Sequence, residues 1–269
     1  MSRWFAEKVG HRYGNDPNAY DSSFIGDVEK VVGRLYGPGR YFELTLRGLD
    51  DLPPSPAMLV SNHSGGTTIP DVWGMGIAWH RKFGGSRRLY LLAHELLFAV
   101  PQAAQFFERV GALRANLDNA KRVLAAGHDV LVFPGGDLDT WRPYTKRYQV
   151  DFHGRCGFAR LAKEVGVPVV PVAHAGAHEG LRVLTSGRFL ARAVGLHKVA
   201  RAEIWPIHLS LPWGIALGPL PHIPLPGHFR YLLGSALWPR NDEGAEELAL
   251  RVQGAIQLQL QTLELEAGR

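Results

Sequence analysis

Two loops carry the residues best suited to chemistry. The first is Ser61-Asn62-His63-Ser64-Gly65-Gly66-Thr67-Thr68-Ile69-Pro70-Asp71; the second is Phe133-Pro134-Gly135-Gly136-Asp137. Each follows a short apolar run that reads as a buried strand, Ala57 to Val60 and Val130 to Phe133. Imidazole titrates near neutrality, so His63 is suited to taking a proton from an alcohol or amine. Asp71 is a candidate to hold the other ring nitrogen and stabilise the imidazolium, as in hydrolytic triads. Paired glycines such as Gly135-Gly136 permit positive φ and bring backbone N–H groups close to a phosphate or an oxyanion. Together the loops point to transfer of an acyl group to a lipid hydroxyl or amine.

No nucleophile for a covalent route stands out. Ser61 and Ser64 flank His63 outside any Gly-x-Ser-x-Gly pattern, and Cys156 is a lone cysteine ahead of a helix. Direct attack by the acceptor is the expected route. The Pro-Gly-Gly turn lacks the Gly-Lys-Ser/Thr of a nucleotide P-loop. Arg142, Lys146 and Arg114 are candidates to bind an anionic group. His174, His178 and Glu179 suggest metal ligation only loosely, because Gly176 and Gly180 oppose a helix that would align them; no metal is expected.

The chain of 269 residues is 46% hydrophobic and 20% charged, ordinary for a globular protein with a sizeable core. No repeat or polar linker divides it. A net charge of +5 suits an anionic membrane surface or a phosphorylated ligand and is too weak to argue for nucleic acid. The clusters Arg81-Lys82 with Arg87-Arg88, and Arg142 with Lys146-Arg147, read as solvated surface. A single cysteine excludes an internal disulfide and fits a reducing compartment. Residues Met1 to Lys8 hold no apolar stretch of signal-peptide length. The run Ile204 to Phe229 contains no Asp, Glu, Lys or Arg, but six prolines bar a continuous spanning helix. Trp205, Trp213, Phe229, Tyr231 and Trp238 in or near this run suit a lipid–water interface. A buried strand followed by a proline-fixed loop accounts for them equally well.

Other elements must position the two loops. Residues 1–24 read as an irregular arm, followed by an amphipathic helix over Phe24 to Tyr36 that Gly37-Pro38-Gly39 stops. Tyr41 to Leu46 alternates as a strand. Asp71 reads as the N-cap of a helix reaching Trp79. Strands are expected at Leu89 to Ala93, Asp129 to Phe133 and Val167 to Val172, with a short strand or turn at Val110 to Arg114. Helices are expected at Leu96 to Glu108, Leu117 to Ala126, Phe158 to Val165 and Glu243 to Leu265. Alternating strands and helices imply an α/β fold, with a mostly parallel central sheet flanked by helices. In such sheets ligands gather beyond the carboxyl ends of the strands, and His63, Gly135-Gly136 and His174 all follow predicted strands.

The chain resembles the glycerolipid acyltransferases of the lysophosphatidic-acid acyltransferase type, from about Tyr41 to Gly218. Asn62-His63 with Asp71 is similar to the family's first block. Gly111-Ala112-Leu113-Arg114 is similar to its second, Phe133-Pro134-Gly135-Gly136-Asp137 to its third, and Val167-Pro168-Val169-Val170-Pro171-Val172 to its fourth. Two departures stand out. The family's shorter His-to-Asp spacing would end at Thr68. Its third-block Glu is replaced by Gly135, as in a branch acting on neutral acylglycerols. The resemblance implies a single acyltransferase domain over 41–269 behind an arm and amphipathic helix over 1–40. It implies acyl transfer from acyl-CoA or acyl-carrier protein to a hydroxyl of a lysophospholipid or acylglycerol, within phospholipid and lipid metabolism. In that reading His63 is the base and Asp71 orients it, while Arg114, Gly135, Gly136, Asp137 and Arg142 hold substrate. No metal or organic cofactor is implied. Peripheral attachment to the cytoplasmic face of a membrane is implied, with the 24–36 helix and the 204–238 segment as candidate contacts. A thioester or ester hydrolase, a non-catalytic lipid-binding protein and an N-acyltransferase remain open.

Overall fold

Strands that read as unbroken apolar runs must be covered on both faces, and this governs the architecture. The computed structural model describes residues 13–193 and 204–268; the expectations for residues 1–12 lie outside them. The elements are α1 (Ser22–Val32), β1 (Phe42–Arg47), β2 (Met58–Ser61), α2 (Pro70–Phe83), β3 (Leu89–Ala93), α3 (Pro101–Arg109), β4 (Ala112–Arg114), α4 (Leu117–Ala125), β5 (Asp129–Val132), α5 (Gly136–Thr140), α6 (Gly157–Val165), β6 (Val169–Ala175), α7 (Ala177–Gly180), β7 (Arg182–Thr185), α8 (Arg188–Ala193), β8 (Ile207–Ser210), β9 (Gly214–Leu217), β10 (Gly227–Leu233) and α9 (Ala245–Ala267).

The main sheet has seven strands in the order β1-β10-β6-β2-β5-β3-β4. The five from β6 to β4 run parallel; β10 turns antiparallel against β6 and pairs in parallel with β1. β2, β5 and β6 are buried along their whole length. Successive residues of β2 enter opposite cores. Met58 and Val60 pack toward α4, α6 and the apolar stripe of α9 (Leu248, Val252, Ile256, Leu260, Leu263), while Leu59 packs toward Met75, Ile77 and Trp79 of α2. A second, antiparallel sheet, β7-β8-β9, stands apart from the first.

Several sequence expectations need correction. Asp71 is not the N-cap of α2. That position is Ile69, which adopts the left-handed conformation at φ 42, and Pro70 occupies the first turn. The expected 96–108 helix divides into a 3-10 turn at Glu95–Phe98 and α3, because Pro101 opens a helix. α1 ends at Val32, short of the expected Tyr36; its Ile25 and Val28 line a cleft and Phe24 packs edge-on against Phe106, while Val31 is 68% exposed. Of the two readings left open for the aromatics near 204–238, the buried strand holds for Phe229 and Tyr231, core residues of β10 only 1% and 2% exposed. Arg81 and Arg87 are structural cations. Arg81 bonds Glu29 and the carbonyls of Gly33 and Tyr36, and Arg87 pairs with buried Asp129, which also accepts the Ala57 N–H.

Two glycines on α2 separate helix propensity from packing. Ala stabilises a helix over Gly by about 1 kcal/mol. At Gly76 an added Cβ meets nothing within 4 Å, whereas at Gly74 it lies 2.4 Å from the Tyr231 hydroxyl. That hydroxyl donates to the Asp71 carbonyl at 2.6 Å and has little room to move. Gly76→Ala is therefore expected to raise the denaturant midpoint by roughly 0.5–1 kcal/mol of stability. Gly74→Ala is expected to lower it by roughly 1–2 kcal/mol, since overpacking exceeds the propensity gain. Equilibrium unfolding in urea reads both.

Candidate active site

The site forms where β2, β5 and β6 end at the same edge of the sheet. Leaving β2, Asn62 bridges to the end of β6. Its side-chain N–H donates to the His174 carbonyl and its side-chain oxygen accepts the His174 N–H, both at 2.8 Å. The amide thus acts as an extra rung of backbone pairing and fixes the start of the loop. His63 comes next. The loop then turns through Gly65 at φ 94 and Gly66 at φ 63 into a 3-10 turn at Gly66–Thr68. An added Cβ on Gly66 would lie 2.5 Å from Leu181, so both conformation and space require glycine there. The 3-10 turn absorbs the long His-to-Asp spacing, and left-handed Ile69 returns the chain so that Asp71 faces His63.

His63 Nδ1 lies 2.6 Å from Asp71 Oδ2. The same oxygen accepts the Ser64 N–H at 2.9 Å, and Oδ1 accepts the Val72 N–H at 2.9 Å. Asp71 is 2% exposed. Burial opposes its charge, but the neighbouring His63, its hydrogen bond, His174 and the Ser64 N–H outweigh that and hold the carboxyl below its ordinary range. The His63 ring lies against Phe133, with centroids 4.5 Å apart. With Nδ1 bonded to Asp71, Nε2 is the ring atom left to exchange a proton with a substrate.

The second loop enters from β5. Gly136 has φ 53 and its N–H donates to the Phe133 carbonyl at 3.0 Å, which closes the turn and uses that donor. Asp139, one turn into α5, reaches back. Its Oδ2 accepts the His63 N–H at 2.5 Å, and its carboxylate pairs with Arg142. An added Cβ on Gly135 would lie 2.5 Å from Asp139 Cβ and 2.6 Å from its carboxyl carbon. The carboxylate of residue 139 therefore fills the space a side chain at 135 would need.

The sequence candidates separate accordingly. His63, Asp71, Gly135 and Gly136 converge. Arg142 is close by but is 7% exposed and committed to Asp139; burial pushes its pKa down to about 10. Asp137 points toward Arg155, 3.8 Å away, and is half exposed. Arg114 stands on edge strand β4, three strands from β2, about 14 Å at ordinary strand spacing. Its Nε donates to the Tyr13 carbonyl at 2.7 Å and its guanidinium lies 5.3 Å from the Phe98 ring centroid. Among the described residues no cluster of His, Cys, Asp and Glu could hold a metal.

Residues 43–175, which span β1 to β6 and both loops, match the family model described as Acyltransferase. The matched segment is an acyltransferase domain. The fold is similar to the crystal structure of the 1-acyl-sn-glycerophosphate acyltransferase PlsC of Thermotoga maritima, with a TM-score of 0.55 at 18% identity over 89% of this chain and 79% of that one. An uncharacterized protein of Mycobacterium tuberculosis is 27% identical over 88% of this chain. A Gallus gallus protein named as a DGAT1/2-independent enzyme synthesizing storage lipids is 24% identical over 92% of this chain and 70% of its own length. The chain spans only 63% of the mycobacterial relative.

Asp139 joins the candidate site through the His63 N–H and was not among the residues the sequence named for it. Its signal was the missing third-block Glu, followed within a turn by two further carboxylates. His174 and His178 pack behind the site. Ser64 Oγ lies 3.0 Å from His174 Nδ1, and neither ring nitrogen of His178 has a hydrogen-bond partner among the described residues. Burial pushes His174 down to about 4 and His178 to about 3. Both bind protons more readily when unfolded, so stability is lost as pH falls below about 6.5 toward 4. His178→Leu removes one such group without breaking a hydrogen bond. The melting temperature of this variant is expected to fall less steeply between pH 6.5 and 4 than that of the wild type, the window set by the ordinary and shifted histidine values.

Proposed function

We propose that the chain transfers a fatty acyl group from a thioester donor, acyl-CoA or acyl-carrier protein, to a hydroxyl of a lipid acceptor of lysophospholipid or acylglycerol type. The observation that carries this reading is the 2.6 Å contact of His63 Nδ1 with buried Asp71, at the strand ends of an acyltransferase domain. His63 Nε2 takes the acceptor hydroxyl proton as the oxygen attacks the thioester carbonyl. Collapse of the tetrahedral intermediate breaks the C–S bond, and the imidazolium returns its proton to the thiolate. Gly136 has given its N–H to Phe133, so the Gly135 N–H is the donor we assign to the oxyanion. Asp139 does not act as base. It holds the His63 backbone and is balanced by Arg142. Arg114, reached across the sheet edge, is assigned to an anionic part of donor or acceptor.

An apolar cleft beside the site supports an acyl-chain ligand. It lies between α1, α2, α3 and the sheet, partly open to solvent. Ile69, Val72 and Trp73, which flank Asp71, line it. Gly135 in place of the family's Glu, and the storage-lipid name of the Gallus gallus relative, support a neutral-lipid acceptor. Such substrates partition into bilayers. No described helix is long and apolar enough to cross a membrane, and we assign a peripheral location at the cytoplasmic face. The chemistry requires no metal or organic cofactor.

Thiol release from acyl-CoA, measured with and without lipid acceptors, tests this reading. Acceptor-dependent release is expected, and it should drop by roughly 10²- to 10⁴-fold in His63→Ala and Asp71→Asn. Release that ignores the acceptor would make the chain a hydrolase instead. Gly76→Phe projects into the cleft and is expected to shift preference toward shorter acyl chains, read by comparing donors of graded length.

A further inference from the structure

A sheet that meets water on one face turns its apolar residues inward and its polar residues outward. The small β7-β8-β9 sheet does the reverse. His208 and Ser210 point inward and are buried, with Val183 and Ala216 beside them. Leu209, Ile215 and Leu217 point outward, and Ile215 is 73% exposed. The pairing confirms the two faces: Leu209 stands opposite Ile215, and His208 opposite Ala216. Leu211, Trp213 and Ile223, on the loops at the end of this sheet, extend the outward apolar surface. The Trp213 indole is fixed by donation to the Pro221 carbonyl at 2.6 Å. Exposed apolar surfaces of this kind mark interaction sites.

Charge selects the occupant. No Asp, Glu, Lys or Arg occurs from Ile204 to Phe229, and the exposed β7 residue opposite the outward Leu209 is Arg182. A cation beside an uncharged apolar face complements an anionic lipid surface. Two copies of this face would instead bring like charges together, which disfavours self-association. Position points the same way. The inward side of the sheet and its following loop rest on the active-site loops. The His208 ring lies 5.1 Å from Trp141, His222 Nε2 lies 3.2 Å from Thr68 Oγ1, and Thr67 Oγ1 donates to the Leu220 carbonyl at 3.1 Å. Thr67 and Thr68 lie between His63 and Asp71.

We propose that the outward face of β7-β8-β9 docks on an anionic bilayer, which places the His63 loop one sheet thickness from the lipid from which an acceptor would enter. This rests on the lipid-acceptor reading above. The test is co-flotation of the purified chain with phosphatidylcholine vesicles, with and without phosphatidylglycerol. Wild type is compared with the triple variant Leu209→Ser, Ile215→Ser, Leu217→Ser, alongside melting temperature, oligomeric state and turnover of a short-chain thioester with a water-soluble acceptor alcohol. The wild type is expected to float with phosphatidylglycerol vesicles at least about tenfold more than the triple variant, with equal soluble turnover. Should the triple variant melt early, the exposed single change Ile215→Asp is expected to show the same direction of loss. Equal flotation of wild type and variants, or no flotation of the wild type, would overturn the proposal. A wild-type dimer that the variants abolish would assign the face to a second copy and also overturn it. Soluble turnover without flotation would sink the docking face and leave the transferase. Flotation lost in the variants, with no turnover in any protein, would sustain the docking face and sink the transferase.

Discussion

The buried carboxylate of Asp71 is the constraint on which the site depends. An ionised carboxylate removed from water is costly by several kcal/mol unless it is paired and hydrogen-bonded. Asp71 meets that condition through the His63 ring, the Ser64 N–H and the Val72 N–H, with the Tyr231 hydroxyl anchoring its own carbonyl. Those donors come from the β2 loop, the first turn of α2 and strand β10. None can be placed unless the central sheet has formed with β6 beside β2 and β10 beside β6. Asn62 ties the loop to β6 at the point where the sheet opens, so fold and site are a single hydrogen-bonded unit.

A second carboxylate completes the arrangement from the opposite loop. Asp139 takes the His63 N–H and needs the space that Gly135 leaves. Arg142 balances its charge in the same buried layer. Glycine at 135 and aspartate at 139 are thus one structural decision: a side chain at the first position would collide with the carboxylate supplied by the second. The two site loops are joined through this contact, and the imidazole is held from both sides, by Asp71 at the ring and by Asp139 at the backbone.

Much of this was legible in the sequence where the physical rule is local. β2, β5 and β6 are short apolar runs, and residues that follow such strands meet at one sheet edge; hence the grouping of His63 with Gly135-Gly136. Other features depend on tertiary context. Asp71 is a favoured N-cap residue, but its carboxylate is claimed by His63, and strained Ile69 takes the cap position instead. Phe229 and Tyr231 read equally as interfacial aromatics or as part of a buried strand until β10 inserts between β1 and β6. Arg81 and Arg87 read as solvated cations because their partners, Glu29 and Asp129, lie far away in sequence. The β7-β8-β9 sheet was hidden for a different reason. Alternation in Ile207-His208-Leu209-Ser210 defines two faces but does not say which is inside, and here the apolar face is outside.

The central claim is that Asp71 fixes the His63 tautomer and leaves Nε2 free as the base. Nitrogen NMR of histidine-labelled protein, with the His63 signals assigned by their loss in His63→Ala, reads this directly. The account predicts a proton on Nδ1 and an unprotonated Nε2 in the neutral ring, with that preference weakened in Asp71→Asn. A proton resident on Nε2 in the wild type, or a tautomer indifferent to Asp71→Asn, would contradict it.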